Sequence, residues 1–194
     1  MNNFNWDSAF SVDFDLVTGM SNTAETTKRY LSQMKNMFYD QDTVNEILAK
    51  EDPVIYEFCE LGCPERAGDL AFGTSIVYPG KIGNEYYMTK GHFHTILATA
   101  EVYFTLSGEG MMVMENPEGD TMERPLKKGE ALYVPRCYAH RSVNTGNEPL
   151  VMFFTFAADA GHDYGTIETK GYRKMIVEQD GKAVAVPNPR WEQK

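Results

Sequence analysis

The chain has 194 residues, 42% of them hydrophobic, which is enough for the core of one ordinary domain with a small appendage. No run nears the ~18 consecutive apolar residues of a membrane helix. A net charge of −10 argues against nucleic acid, whose phosphates need a basic face; any anionic ligand here would need a local cation or a cluster of donors.

The opening MNNFNWDSAFSVDF lacks the basic and apolar regions of a signal peptide. Phe10, Val12, Phe14 and Leu16 alternate as in an extended arm. Asn22, with Glu25 three residues on, is close to a capping box and predicts a helix start. Leu31, Met34 and Phe38 keep helical spacing, and a shorter helix is expected from Asp42 with Val44, Ile47 and Leu48 on one side.

After Pro53 the pattern changes to short β-branched and aromatic runs. They are Val54–Tyr56, Ser75–Tyr78, Tyr86–Met88, Val102–Phe104, Met111–Val113, Leu132–Val134 and Leu150–Phe154. Pro79-Gly80, Gly108, Gly119-Asp120 and Gly146-Asn147 punctuate them as turns. Asp180-Gly181, between Met175–Val177 and Ala183–Val186, is a hairpin signal. Many short, evenly spaced strands predict a sandwich or barrel. The expected organisation is one structural domain: an arm with helices over 1–52 packed on a β-barrel over 53–194. Cys59, Cys63 and Cys137 are an odd number, fitting unpaired thiols in a reducing cytoplasm; Cys59 and Cys63 lack the second pair a zinc site would need.

The four histidines carry the chemistry. His92 and His94 are two apart, so on a strand they share a face and can meet one ion. Glu101 opens the next aromatic run, and His140 arrives from a later strand. Three imidazoles and a carboxylate suit a divalent first-row metal with open positions left for ligand. Taken alone, a His-x-His pair is more often packed or on the surface. The order His92-x-His94, Glu101 and Gly108, followed by Gly129, Pro135, His140 and Asn144, changes that balance.

This order resembles the two motifs of the cupin superfamily and implies a single jelly-roll-like barrel of the mainly β class with a short N-terminal helical segment. Two departures are visible. The run from His94 to Glu101 is longer than in many cupins, and Cys137 stands where a glycine is usual.

The longer run is similar to the cupin-type glucose-6-phosphate isomerases. Further blocks match them, among them Asp52-Pro53-Val54-Ile55-Tyr56-Glu57, Tyr78-Pro79-Gly80-Lys81, Thr89-Lys90-Gly91-His92-Phe93-His94, Gly161-His162-Asp163-Tyr164-Gly165-Thr166 and Asn188-Pro189-Arg190-Trp191. They cover most of the chain from about residue 52 onward. The resemblance implies His92, His94, Glu101 and His140 as ligands of one divalent ion per subunit, iron(II) first and manganese(II), nickel(II) or zinc(II) as alternatives. It places Tyr56, Ser75, Thr89, Gly91 and Tyr164 at the substrate phosphate, and Tyr103 and His162 with Glu101 at the sugar. Ser75 replaces a threonine common in relatives, and Phe156 a tyrosine.

The implied reaction interconverts glucose 6-phosphate and fructose 6-phosphate, in glycolysis or gluconeogenesis, by an enediolate with Glu101 as base or by a hydride shift. A homodimer is implied, with a sugar phosphate as partner and neither nucleic acid nor membrane. Two other readings of the same ligand set are a cupin oxygenase and a non-catalytic sugar-binding cupin.

Overall fold

In the computed structural model, which describes residues 4–191, strand pairing begins earlier than the sequence pattern predicts. The first and last three residues of the expected spans 1–52 and 53–194 lie outside the described residues. Where a helix was expected from Asn22, the chain instead enters strand β1 (Thr26–Tyr30), antiparallel to β2 (Val54–Glu60). The cap signal at Asn22 leads into Thr26, Thr27, Lys28 and Arg29, which offer no apolar stripe. β-branched threonines beside an open strand edge favour pairing instead. In this N-terminal segment α-helix is confined to one turn, α1 (Leu31–Met34), and to α2 (Gln41–Leu48). The Asp40 carboxylate accepts from Thr43 N–H and caps α2, as an N-cap aspartate should.

The remaining strands are β3 (Leu70–Val77), β4 (Lys81–Ile82), β5 (Glu85–Tyr86), β6 (Glu101–Ser107), β7 (Glu109–Glu115), β8 (Thr121–Lys127), β9 (Ala131–Val134), β10 (Ala139–Asn144) and β11 (Leu150–Ala157). A short helix α3 (Gly165–Lys170) precedes the hairpin β12 (Lys174–Gln179) and β13 (Lys182–Pro187). Asp180 and Gly181 at its turn both have positive φ, +52° and +73°, the conformation a two-residue turn of this hand requires. β8 was not legible in the sequence: it is polar, carries Pro125, and is tolerated because it is an edge strand.

One wall of the barrel is a six-stranded sheet in the order β1-β2-β3-β11-β6-β9. The other combines β10-β7-β8 with β13-β12-β5-β4. The stretch after β5 ties these two together. Met88 and His92 bridge to Val143 and His140 of β10, and Thr89 N–H donates to the Ser142 carbonyl. Between the walls lies one apolar cluster that includes Ile55, Val77, Met112, Met114, Leu126, Leu150 and Met152. This is the mainly β cupin barrel the sequence predicts.

The N-terminal arm crosses the outer face of the six-stranded sheet. Trp6 and Phe10 lie against Phe72, and Phe14 against Phe153. Gly19 is pressed onto Ile76 and Val151 so closely that a side chain would collide with both, and its carbonyl accepts from the Thr74 hydroxyl at 2.5 Å.

Candidate metal centre and cavity

Strand periodicity aims the candidate residues inward. On β6, Glu101, Tyr103 and Thr105 are buried while Val102 and Phe104 face out. On β10, His140 and Ser142 share the inner face, and the reciprocal backbone pairing of His92 with His140 brings the two segments into register. Cys137, in the turn before β10, has φ +69° and donates its N–H to Leu97. That backbone conformation is easiest for glycine, which explains the residue usual at this place in cupins.

The rings of His92, His94 and His140 have centroids 4.6 to 5.5 Å apart. Glu101 Oε2 lies 2.9 Å from His140 Nε2 and 3.3 Å from His94 Nε2. One ligand atom from each of the four residues falls within 4.8 Å of the others. His94 Nδ1 lies 3.3 Å from the Gly161 carbonyl and His140 Nδ1 3.4 Å from that of Tyr138, contacts that fix the proton on Nδ1 and turn the Nε2 lone pairs inward. Burial, and then His140, hold the His92 imidazole far below its ordinary pKa, so it stays neutral. Burial alone would raise the Glu101 carboxyl, and only N–H donors or positive charge at His140 and His94 hold it low; with those Nε2 atoms facing inward as lone pairs, a bound cation would take that part.

The three Nε2 atoms and Glu101 Oε2 are buried with no hydrogen-bond donor among them. Four acceptors converging in a dry site are costly unless a cation joins them. The donor set fits a divalent first-row metal.

Above this cluster is a cavity open to solvent, about 750 Å³ when its open mouth is counted. Each residue placed at the ligand by the sequence reading lines it: Tyr56, Ser75, Thr89, Gly91, Tyr103, His162 and Tyr164, together with His92, Glu101 and His140. His94 is not among the lining residues; its ring packs behind them against Phe156. Gly91 has φ +73°, and a side chain there would strike the Tyr172 hydroxyl and the His140 carbonyl. The Tyr103 phenol is pushed well above its ordinary pKa by burial and by the neighbouring Glu101 charge.

His162 stands beside the cluster, outside the group of four. Its ring is 4.4 Å from that of His92 and stacks under Tyr164 at 5.8 Å. Burial pushes the Tyr164 phenol up to about 12. Lys90 Nζ sits 4.9 Å over the same ring while paired with Glu168 of α3.

The sequence reading missed Phe58, Glu60, Ser142 and Phe154, which also line the cavity. Phe58 and Glu60 follow Tyr56 at intervals of two along β2, Ser142 follows His140 likewise, and Phe154 precedes Phe156. The period of two would have found all four once one residue of each strand was placed. The Ser142 and Thr89 hydroxyls are 3.3 Å apart and form a pair on the cavity wall.

A family model described as glucose-6-phosphate isomerase (GPI) matches residues 28–191. A glucose-6-phosphate isomerase of Thermococcus kodakarensis is 46% identical over 182 residues, 94% of this chain and 96% of that one. One of Sinorhizobium medicae is 35% identical over 184 residues, 93% of this chain and 86% of that one. Among solved structures, an uncharacterized Klebsiella pneumoniae protein with a double-stranded β-helix domain is 19% identical with a TM-score of 0.43, over 54% of this chain and 79% of that one.

Proposed function

Because the chain belongs to the glucose-6-phosphate isomerase family, we propose that it interconverts glucose 6-phosphate and fructose 6-phosphate, with one divalent ion per subunit held by His92, His94, Glu101 and His140. The observation that carries this reading is the convergence of four buried ligand atoms at one end of a hydroxyl-rich cavity. Iron(II) is the first choice, with manganese(II), nickel(II) and zinc(II) as alternatives. When bound, such an ion supplies Lewis acidity to the substrate oxygens beside it.

The chain's own residues do the rest. The hydroxyls of Tyr56, Ser75, Thr89 and Tyr164 and the N–H of Gly91 take the substrate phosphate through charge-assisted hydrogen bonds. That anchorage turns C1 and C2 of the open-chain sugar toward Glu101, with Tyr103 and His162 on either side. Apolar Phe154 and Phe156 limit the water that reaches the reacting carbons. In the forward direction Glu101 accepts the proton from C2, and the C–H electron pair becomes the C1–C2 double bond of an enediol. His162 carries the hydroxyl proton from O2 to O1, and Glu101 returns its proton to C1.

A place in glycolysis or gluconeogenesis and a reducing cytoplasm belong to the same reading; the three cysteines are unpaired. So does a homodimer, for which Phe104 and Tyr133, exposed on paired strands β6 and β9, offer apolar surface. The test is a coupled assay of the purified protein with glucose 6-phosphate. Formation of fructose 6-phosphate is expected, and its absence at saturating metal and substrate contradicts the proposal.

A further inference from the structure

The groups assigned to the phosphate are all neutral: four hydroxyls and one backbone N–H. A phosphate monoester carries close to two negative charges at neutral pH. The cavity that would receive it also holds the Glu60 side chain, in a chain whose net charge is −10. Bringing a dianion there without a cation leaves its charge largely uncompensated.

Three cations stand near that end of the cavity, and one of them, Arg141, is buried and spent on the Lys90 carbonyl. Lys90 is already engaged, its ammonium paired with Glu168. Arg29 is not: among the described residues it makes no ion pair, and its one hydrogen bond to a backbone carbonyl is a 3.4 Å contact to Lys28 on the exposed side. In the β1–β2 register Arg29 is directly opposite Tyr56, and its guanidinium carbon lies 5.4 Å over the ring of Phe58. Tyr56 and Phe58 both line the cavity. The Arg29 charge also acts on the phenols of Tyr56 and Tyr164, which lie on different elements around the opening. Its holds are an exposed carbonyl contact, a ring face and a hydrogen bond to the Tyr56 phenol, all to neutral groups, so the side chain can leave them for a charged partner.

The geometry points to Arg29 as the residue that recognises the substrate phosphate, moving from the face of Phe58 to a forked contact with two phosphate oxygens. This rests on the isomerase reading above and adds to it a cation drawn from the N-terminal segment. It also supplies a basis for preferring phosphorylated over free sugars. A planar guanidinium matches two phosphate oxygens at once, which an ammonium does not.

The experiment compares the wild type with Arg29→Gln and Arg29→Lys, each loaded with metal. Three quantities are measured: kinetics with glucose 6-phosphate, inhibition by inorganic phosphate, and direct phosphate binding by calorimetry. Arg29→Gln should raise KM and the phosphate inhibition and dissociation constants at least ~10-fold, the scale of a hydrogen bond to a charged group, with kcat within about 3-fold. Arg29→Lys should fall between. The melting temperature of each variant separates loss of packing on Phe58 from loss of recognition. If Arg29→Gln fails to fold, Arg29→Lys keeps charge and stem without the fork, and a phosphate constant equal to wild type contradicts the inference. Wild-type phosphate binding in Arg29→Gln, or none in the wild type, overturns it while leaving an observed isomerase activity intact. A wild type that binds phosphate through Arg29 but does not isomerise contradicts the parent reading alone.

Discussion

Arg141 grips the carbonyl of Lys90 with two guanidinium nitrogens, Nη2 at 2.9 Å and Nε at 3.3 Å. The two residues flank the pairing of His92 with His140, so this fork fastens the strand that bears one ligand to the segment that bears two. Arg141 is 4% exposed, and its guanidinium stacks 4.5 Å over Tyr172. Burial works against its charge, and Tyr172, then Glu85 and Glu115, oppose that in part. Arg141→Met should cost about 3 kcal/mol of stability, as expected when one partner leaves a buried charge network, and should weaken metal binding without removing a ligand. Urea unfolding and metal titration check this. Unchanged values in both would mean the fork holds nothing in place.

Glu85 supplies a pH signature. It is 4% exposed, and Tyr39 N–H donates to its Oε2 at 2.8 Å. Burial lifts its carboxyl from 4.5 to about 7, against the opposing pull of the Tyr39 N–H, Arg141 and Arg190. Between pH 4.5 and 7 the folded chain therefore holds this proton more tightly than the unfolded chain. The stability from Glu85 is full below about 4.5 and is lost as pH rises through 7, a span of about 3 kcal/mol. Relative to Glu85→Gln, the wild type should gain stability as pH falls from 8 to 5. Parallel unfolding profiles for the two would refute the assignment, and the comparison cancels metal loss common to both.

His140 and His162 are the histidines that sequence spacing separates by role. His140→Ala removes an atom 2.9 Å from Glu101 Oε2 and should lower metal affinity at least ~100-fold. His162→Ala, outside the group of four, should keep the metal and lower kcat. Elemental analysis and rates on both variants decide. Equal metal loss in the two would make His162 a ligand.

Glu101→Gln should lower kcat at least ~100-fold at saturating metal, the scale of a lost general base. The amide can still offer an oxygen to the ion but cannot accept the C2 proton. Isomerisation in deuterated water should place deuterium at C1 of early fructose 6-phosphate. An active Gln variant with no solvent label in product would transfer the hydrogen to a direct shift and leave Glu101 a ligand only.

The barrel was legible because alternation and turn residues such as Asp180-Gly181 mark its strands. That His92, His94, Glu101 and His140 come together was legible from motif order and resemblance rather than from alternation alone, since His92 and His94 lie on a bridged segment outside the named strands. The N-terminal segment was not. Its cap signal at Asn22 is local, whereas the pairing of Thr26–Tyr30 with β2 joins residues far apart in sequence, and tertiary pairing overrode a weak helix preference. Arg29 was missed for the same reason, since only the strand register sets it against Tyr56. β8 stayed hidden because its edge position excuses Pro125 and its charges.

If His92, His94, Glu101 and His140 hold an ion on which turnover depends, removing that ion must stop turnover without unfolding the barrel. The direct measurement is isomerase rate on chelator-stripped protein, with metal content and circular dichroism recorded together, before and after adding back single divalent ions. Stripped protein should be a folded barrel with no measurable turnover, restored by iron(II), manganese(II) or nickel(II) more than by zinc(II), which favours closed tetrahedral coordination. Full turnover in protein shown to be metal-free would contradict it.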